Sequence, residues 1–427
     1  MTHDLDLRAA RLLDGRVVDV EVRDGTIARI APAGTTPIGR GDGTASAAAG
    51  IRTVEADGRL LTPAFVDGHL HLDKVHSLPR LGPEALELYT ADAMGGAAAA
   101  IDVARAVKRD YHRSWIAPNV RRVLESSVAH GVLRFQAFVD VDTTGGLEGL
   151  HGVLDALRGF GDVLDVRIVA FPQDGVVRDP GAAELVEEAL RLGADVVGGI
   201  PWIEHSDRDA QRHVDWACGL AAATGRRVAM LVDDAGDPAL RTVEMLALAM
   251  LDHGLVGRGV ACHARAVGTW AEPSQRRLAA LARDAGLGFV ADPQTGPLRL
   301  PVELFDRLGV PVALGQDDVE DAYYPFGRHS MLEVAFLAAH ALGWLSDARQ
   351  LRLFDLISTR AADVLGMDPG AIVEGGRADL LLHPFERPVD VLAHHAAPGL
   401  VVSRGRVVAT TTTTTVLDVP PRPEESA

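Results

Sequence analysis

The sequence predicts an α/β protein: a (β/α)8 TIM-like barrel joined to a small β-sandwich domain that both ends of the chain build. Two observations carry this prediction. Beyond Leu60, short apolar runs alternate with helical segments, the pattern of repeated βα units around a parallel sheet. At both ends the chain instead alternates apolar and polar residues between turn dipeptides, the pattern of antiparallel strands.

Taken in order, Leu5 to Ile30 reads as consecutive hairpins around Asp14-Gly15 and Asp24-Gly25. The Gly/Ala/Thr-rich stretch from Ala33 to Gly50 has too little hydrophobicity to pack and reads as a loop. Strand-like runs then follow at Leu61 to Leu72, Val132 to Val141, Leu164 to Pro172, Asp195 to Pro201, Arg227 to Asp233, Gly259 to His263, Gly288 to Ala291 and Val310 to Gly315. In a closed barrel of such units, catalytic residues sit at the C-terminal strand ends. An open doubly wound sheet would want a glycine-rich phosphate turn after its first strand, and Asp67-Gly68-His69 offers none. Past Gly370 strands return, at Ala378 to Leu382 and at Gly399 to Ala409 around Arg404-Gly405, and are expected to rejoin the N-terminal hairpins. The division is therefore residues 1–60 and 369–416 for the sandwich, 61–368 for the barrel, and 417–427 for a tail that follows a threonine run.

Composition excludes several classes. With hydrophobic residues at 47% of 427, the chain can bury a large core and a smaller module. A formal net charge of −17 argues against nucleic acid, whose phosphates need clustered Lys and Arg. The apolar stretches, such as Val243 to Leu251, fall short of the roughly 20 residues that span a bilayer, so no membrane segment is expected. Two cysteines, Cys218 and Cys262, form no disulfide framework, and the acidic start lacks a signal-peptide pattern. A cytoplasmic location is expected, with a small molecule as substrate; no interface is legible, and a homo-oligomer stays open.

The strongest chemical signal is His69-Leu70-His71 at the end of the first barrel strand. Side chains alternate faces along a strand, so both imidazoles point the same way and can hold one ion. The last strand ends in Gly315-Gln316-Asp317-Asp318, and strands one and eight are neighbours in a closed barrel, so Asp317 can reach that ion. Two imidazoles and one carboxylate make the ligand count of a catalytic zinc site with room for an activated water. Taken singly, an Asp pair reads as a helix cap as readily as a ligand. His263, ending strand six, can orient the water or be a satisfied structural histidine. Asp233-Asp234, ending strand five, can move a proton or cap a helix.

Three separated segments together resemble cytosine deaminase within the amidohydrolase superfamily: Pro63 to Lys74, Ile168 to Gly175 with Glu187 to Pro201, and Gly315 to Pro325. The resemblance spans nearly the whole chain, including the split sandwich. It implies that His69, His71 and Asp317 bind one divalent zinc or iron, with Asp317 also the base toward the water. It places Gln173, Asp318 and Tyr323 on the substrate and His263 beside the nucleophile. Where the family carries a strand-five histidine ligand and, three residues on, a catalytic glutamate, this chain reads Leu231 and Asp234. A fourth protein ligand is thus missing, and the proton-moving carboxylate is one methylene shorter. No lysine ends strand four, so a carbamylated-lysine two-metal site is not expected.

The resulting expectation is a hydrolase that cleaves a C–N bond of a small nitrogen heterocycle by attack of metal-bound hydroxide, through deamination or amide hydrolysis. An acyclic amide or N-acyl substrate is the alternative within that chemistry. A metal-free homologue that only binds a small ligand is the alternative outside it, with Leu231 as its main support.

Overall fold

In a computed structural model, which describes residues 4–35, 51–81 and 105–418, the chain forms the two predicted modules. Most of the Ala33 to Gly50 stretch, and the tail beyond residue 418, lie outside the described residues. Strands β1 (Leu5–Arg11), β2 (Val17–Arg23) and β3 (Thr26–Pro32) are the two predicted hairpins, and β4 (Arg52–Glu55) adds to β1 in parallel. The first barrel run divides in two. β5 (Leu61–Pro63) belongs to the sandwich, and β6 (Phe65–His71) begins the barrel after Ala64. The break suits Pro63, which has no N–H to extend a ladder.

The barrel continues with β7 (Val132–Asp140), β8 (Asp165–Phe171), β9 (Val196–Gly199), β10 (Arg227–Val232), β11 (Gly259–His263), β12 (Gly288–Ala291) and β13 (Val312–Leu314), each parallel to the one before. Ring closure falls one turn beyond β13. Asp317 N donates to His69 O and His71 N donates to Asp317 O, both at 2.8 Å. Gly68 and Gly315 permit this close approach: a Cβ on Gly68 would meet Val290 Cγ1 at 2.7 Å, and one on Gly315 would meet His69 Cβ at 2.9 Å.

Inward side chains such as Val66, Phe138, Val169, Ala229, Leu231 and Val260 fill the barrel interior. The helix Thr359–Leu365 packs over the starts of the strands, with Val66 N bonded to Ile357 O at 2.8 Å, so the open mouth is at the C-terminal ends. The last strands, β14 (Leu380–Leu382), β15 (Leu400–Ser403) and β16 (Arg406–Thr410), complete the second sandwich sheet in the order β16-β15-β14-β5. Leu5, Leu7, Val20, Leu61, Leu380 and Val402 form the core between the two sheets. A buried ion pair, Arg134 Nη2 to Asp379 Oδ2 at 2.6 Å, ties barrel to sandwich; its carboxylate also accepts Arg404 N at 2.7 Å. No described helix is long and apolar enough to cross a membrane.

Candidate active site

Strand ends bring the predicted residues together. His69 and His71 leave β6 on the same face, their ring centroids 4.9 Å apart and edge-on. Asp317 Oδ1 lies 3.1 Å from His69 Nε2 and 3.9 Å from His71 Nε2. Asp67 fixes this arrangement, because its Oδ1 accepts from His69 N and from Gln316 N, each at 3.0 Å, and so braces both closing strands at the ligand positions. His329 Nε2 holds the other Asp67 oxygen at 3.0 Å. At Asp317, Asp233 and His263 the backbone takes left-handed φ values of 72°, 47° and 65°. Strain of that kind persists where a surrounding structure enforces it, and it clusters at functional sites.

Whether this donor set fits a metal is decided by its unused atoms. His69 Nδ1 and Nε2 and His71 Nδ1 are buried without a hydrogen-bond partner among the described residues. Buried polar atoms are nearly always satisfied, so His69 Nε2, left without a hydrogen bond 3.1 Å from Asp317 Oδ1, is suited to donate its lone pair to a cation. Burial, reinforced by Lys74, holds the His71 pKa well below its ordinary value, keeping the ring neutral as a ligand must be. The three ligand atoms all lie within 4.8 Å of one another. The residues fit a single divalent ion.

His263, ending β11, meets the same point, its Nε2 being 3.9 Å from Asp317 Oδ1. Its Nδ1 is 2.9 Å from Asp292 Oδ1. Burial works against a charge on this ring, but Asp234, Asp292 and Asp317 outweigh it and raise the pKa to about 9. The pair at the end of β10 divides its labour. Asp233 caps the helix Thr242–Asp252, accepting Thr242 N at 2.6 Å, whereas Asp234 lines the cavity. Burial raises the Asp234 pKa, opposed by the Arg265 guanidinium, whose Nε lies at 3.2 Å.

The cavity beside these residues is walled by Leu231, Ile200 and Trp202 as well as by Asp234, Asp317 and Asp318. Leu231, from the interior cluster, thus lines the cavity floor side by side with these residues. Gln173 and Tyr323 also line it, with Gln173 Nε2 donating to Tyr323 Oη at 3.0 Å. Asp318 is buried with Oδ1 unpartnered among the described residues; burial, with Asp317 and Asp321 beside it, pushes its pKa well above the carboxylate range.

Four residues in contact with the site escaped the sequence reading. Asp292 follows β12 as a lone acid, and Arg265 lies two residues past His263 with Nη2 2.5 Å from Asp292 Oδ2 and 3.5 Å from Asp317 Oδ2. Asp67 and Lys74 flank the histidine motif, where position alone gave no role. The usable signal for Asp292 is its place immediately after a barrel strand.

Two imidazoles and a carboxylate converging beside a cavity at the C-terminal mouth of a parallel barrel define a hydrolase of the metal-dependent barrel class. A model of the amidohydrolase family matches residues 120–409; the chain belongs to that family and is a hydrolase that acts on C–N bonds. It is 29% identical over 415 residues to the pterin deaminase of Rhizobium rhizogenes, covering 91% of this chain and 87% of that one. It is 26% identical over 365 residues to the N-isopropylammelide isopropyl amidohydrolase of a Pseudomonas species, covering 83% and 87%. The 5-methylcytosine deaminase of Klebsiella pneumoniae, solved with 5-fluorocytosine, superposes with a TM-score of 0.84 at 25% identity, over 96% of this chain and 99% of that one.

Proposed function

We propose that the chain hydrolyses an exocyclic C–N bond of a small nitrogen heterocycle, releasing ammonia or an alkylamine, at a site where His69, His71 and Asp317 hold one zinc or iron ion. The observation that carries this is the buried His69 Nε2, bare beside Asp317 Oδ1 at 3.1 Å, with His71 Nε2 3.9 Å from the same oxygen. A divalent ion there supplies Lewis-acid activation of water at neutral pH. The chain's own residues do the rest. Asp317 takes the proton from the attacking water, Asp234 delivers a proton to the leaving nitrogen, and the charged His263 ring stabilises negative charge developing at the attacked carbon's substituents. Gln173, Asp318 and Tyr323 hold the ring. The named activities of the three relatives, all on nitrogen heterocycles, support this substrate class over an acyclic amide. The buried free thiols of Cys218 and Cys262 agree with a reducing cytoplasm.

The test is turnover by zinc- or iron-loaded protein of N-isopropylammelide, pterin and 5-methylcytosine, followed as ammonia or isopropylamine released. We expect at least one compound to lose its amine stoichiometrically and the reaction to stop on chelation. Release from none of them would contradict the heterocycle reading.

A further inference from the structure

Lys74 is buried three residues past His71, and its surroundings determine how Gln173 faces the cavity. Lys74 Nζ donates to Asp140 Oδ1 at 2.7 Å and also to Gln173 Oε1. The rings of Phe171 and Tyr323 flank the ammonium, with centroids 5.9 and 5.8 Å away. Lys108 braces Asp140 from the other side at 3.5 Å. An ammonium has only donors, so the amide atom that meets it must be the carbonyl oxygen. The orientation of an amide, often ambiguous, is here dictated by chemistry. With Oε1 engaged, one Nε2 hydrogen goes to Tyr323 Oη at 3.0 Å, and no described residue accepts the other. Gln173 lines the cavity.

We propose that Lys74 is a positioning residue for substrate selectivity. By drawing the Gln173 carbonyl oxygen to itself it turns the amide N–H toward the cavity, so the substrate edge met there carries an acceptor, a ring carbonyl oxygen. A ring N–H on that edge would oppose one donor with another and leave both buried without a partner, the arrangement that binding sites reject most strongly. This rests on the heterocycle reading and narrows it to oxo-heterocycles.

The test starts without substrate. In metal-loaded protein with 15N-labelled glutamine, the side-chain cross-peaks that vanish in Gln173→Glu identify the Gln173 amide. Replacing Lys74 by Met together with Asp140 by Asn avoids stranding a lone charge, and is expected to shift those peaks and speed their exchange with water. Unchanged peaks would overturn the inference. With the heterocycle that the parent turns over best, Gln173→Glu is expected to raise KM about tenfold or more, with a smaller effect on kcat. Its melting temperature should match or exceed the parent's, because a carboxylate is the better partner for Lys74. The double variant should lose most of the parent's preference for the oxo substrate over an analogue with C–H in place of the carbonyl. A parental KM in Gln173→Glu, or a parental preference in the double variant, would overturn the proposal. A parent that turns over no heterocycle would remove the proposed function and leave the amide peaks to decide this inference by themselves.

Discussion

Asp317→Asn is expected to lower kcat/KM by about 10³-fold or more while leaving the fold intact, because it removes a ligand and the proposed base at once. The choice of Asn matters. Asp317 closes the barrel through its own N and O, bonded to His69 and His71, and does so at φ 72°. Asn is among the few residues that tolerate this left-handed backbone, so closure survives, whereas alanine would add strain. Melting temperature and circular dichroism check the fold, and initial rates check the chemistry. Activity within about tenfold of the parent would move the base elsewhere.

His263→Asn is expected to cost about 10² to 10⁴ in kcat with the metal content unchanged, since an acid–base or electrostatic partner contributes on that scale. Asn again suits the backbone, here at φ 65°. The metal measurement separates this account from a specific competitor. His263, Asp292 and Asp317 also lie close enough to form a ligand set of their own. Asp292, the carboxylate that only this second set contains, is already paired with Arg265 Nη2 at 2.5 Å and His263 Nδ1 at 2.9 Å, so the proposal puts the ion on the His69 side. A fall in bound metal that parallels the fall in activity would make His263 a ligand instead.

What the sequence revealed and what it hid have a common physical origin. Each barrel strand is a short apolar run between polar breaks, so periodicity alone located it, from Val132–Asp140 to Val312–Leu314. His69 and His71 were legible because strand alternation relates them locally, and Asp317 because ring closure makes strands one and eight neighbours. The division of Leu61 to Leu72 between two sheets was not legible, since both halves are apolar and only the partners differ. Nor was the Lys74 network. Its partners Asp140 and Gln173 lie 66 and 99 residues away, and no local pattern records which of many buried polar residues the winding of the barrel will bring together. Asp234 illustrates the limit from the other side: sequence named both it and Asp233, and only the turn after β10 sends one to a helix cap and the other to the cavity.

On the proposed function, three protein ligands, with Leu231 lining the cavity near them, suffice to hold one catalytic ion. The most direct test is metal content by plasma mass spectrometry on protein purified, supplemented with zinc or iron(II) and freed of excess ion. The account predicts about one equivalent per chain in the parent and a large loss in His71→Asn and Asp317→Asn. A parent that retains less than about a tenth of an equivalent after supplementation would contradict it, and would leave a barrel that binds a small ligand without hydrolysing it.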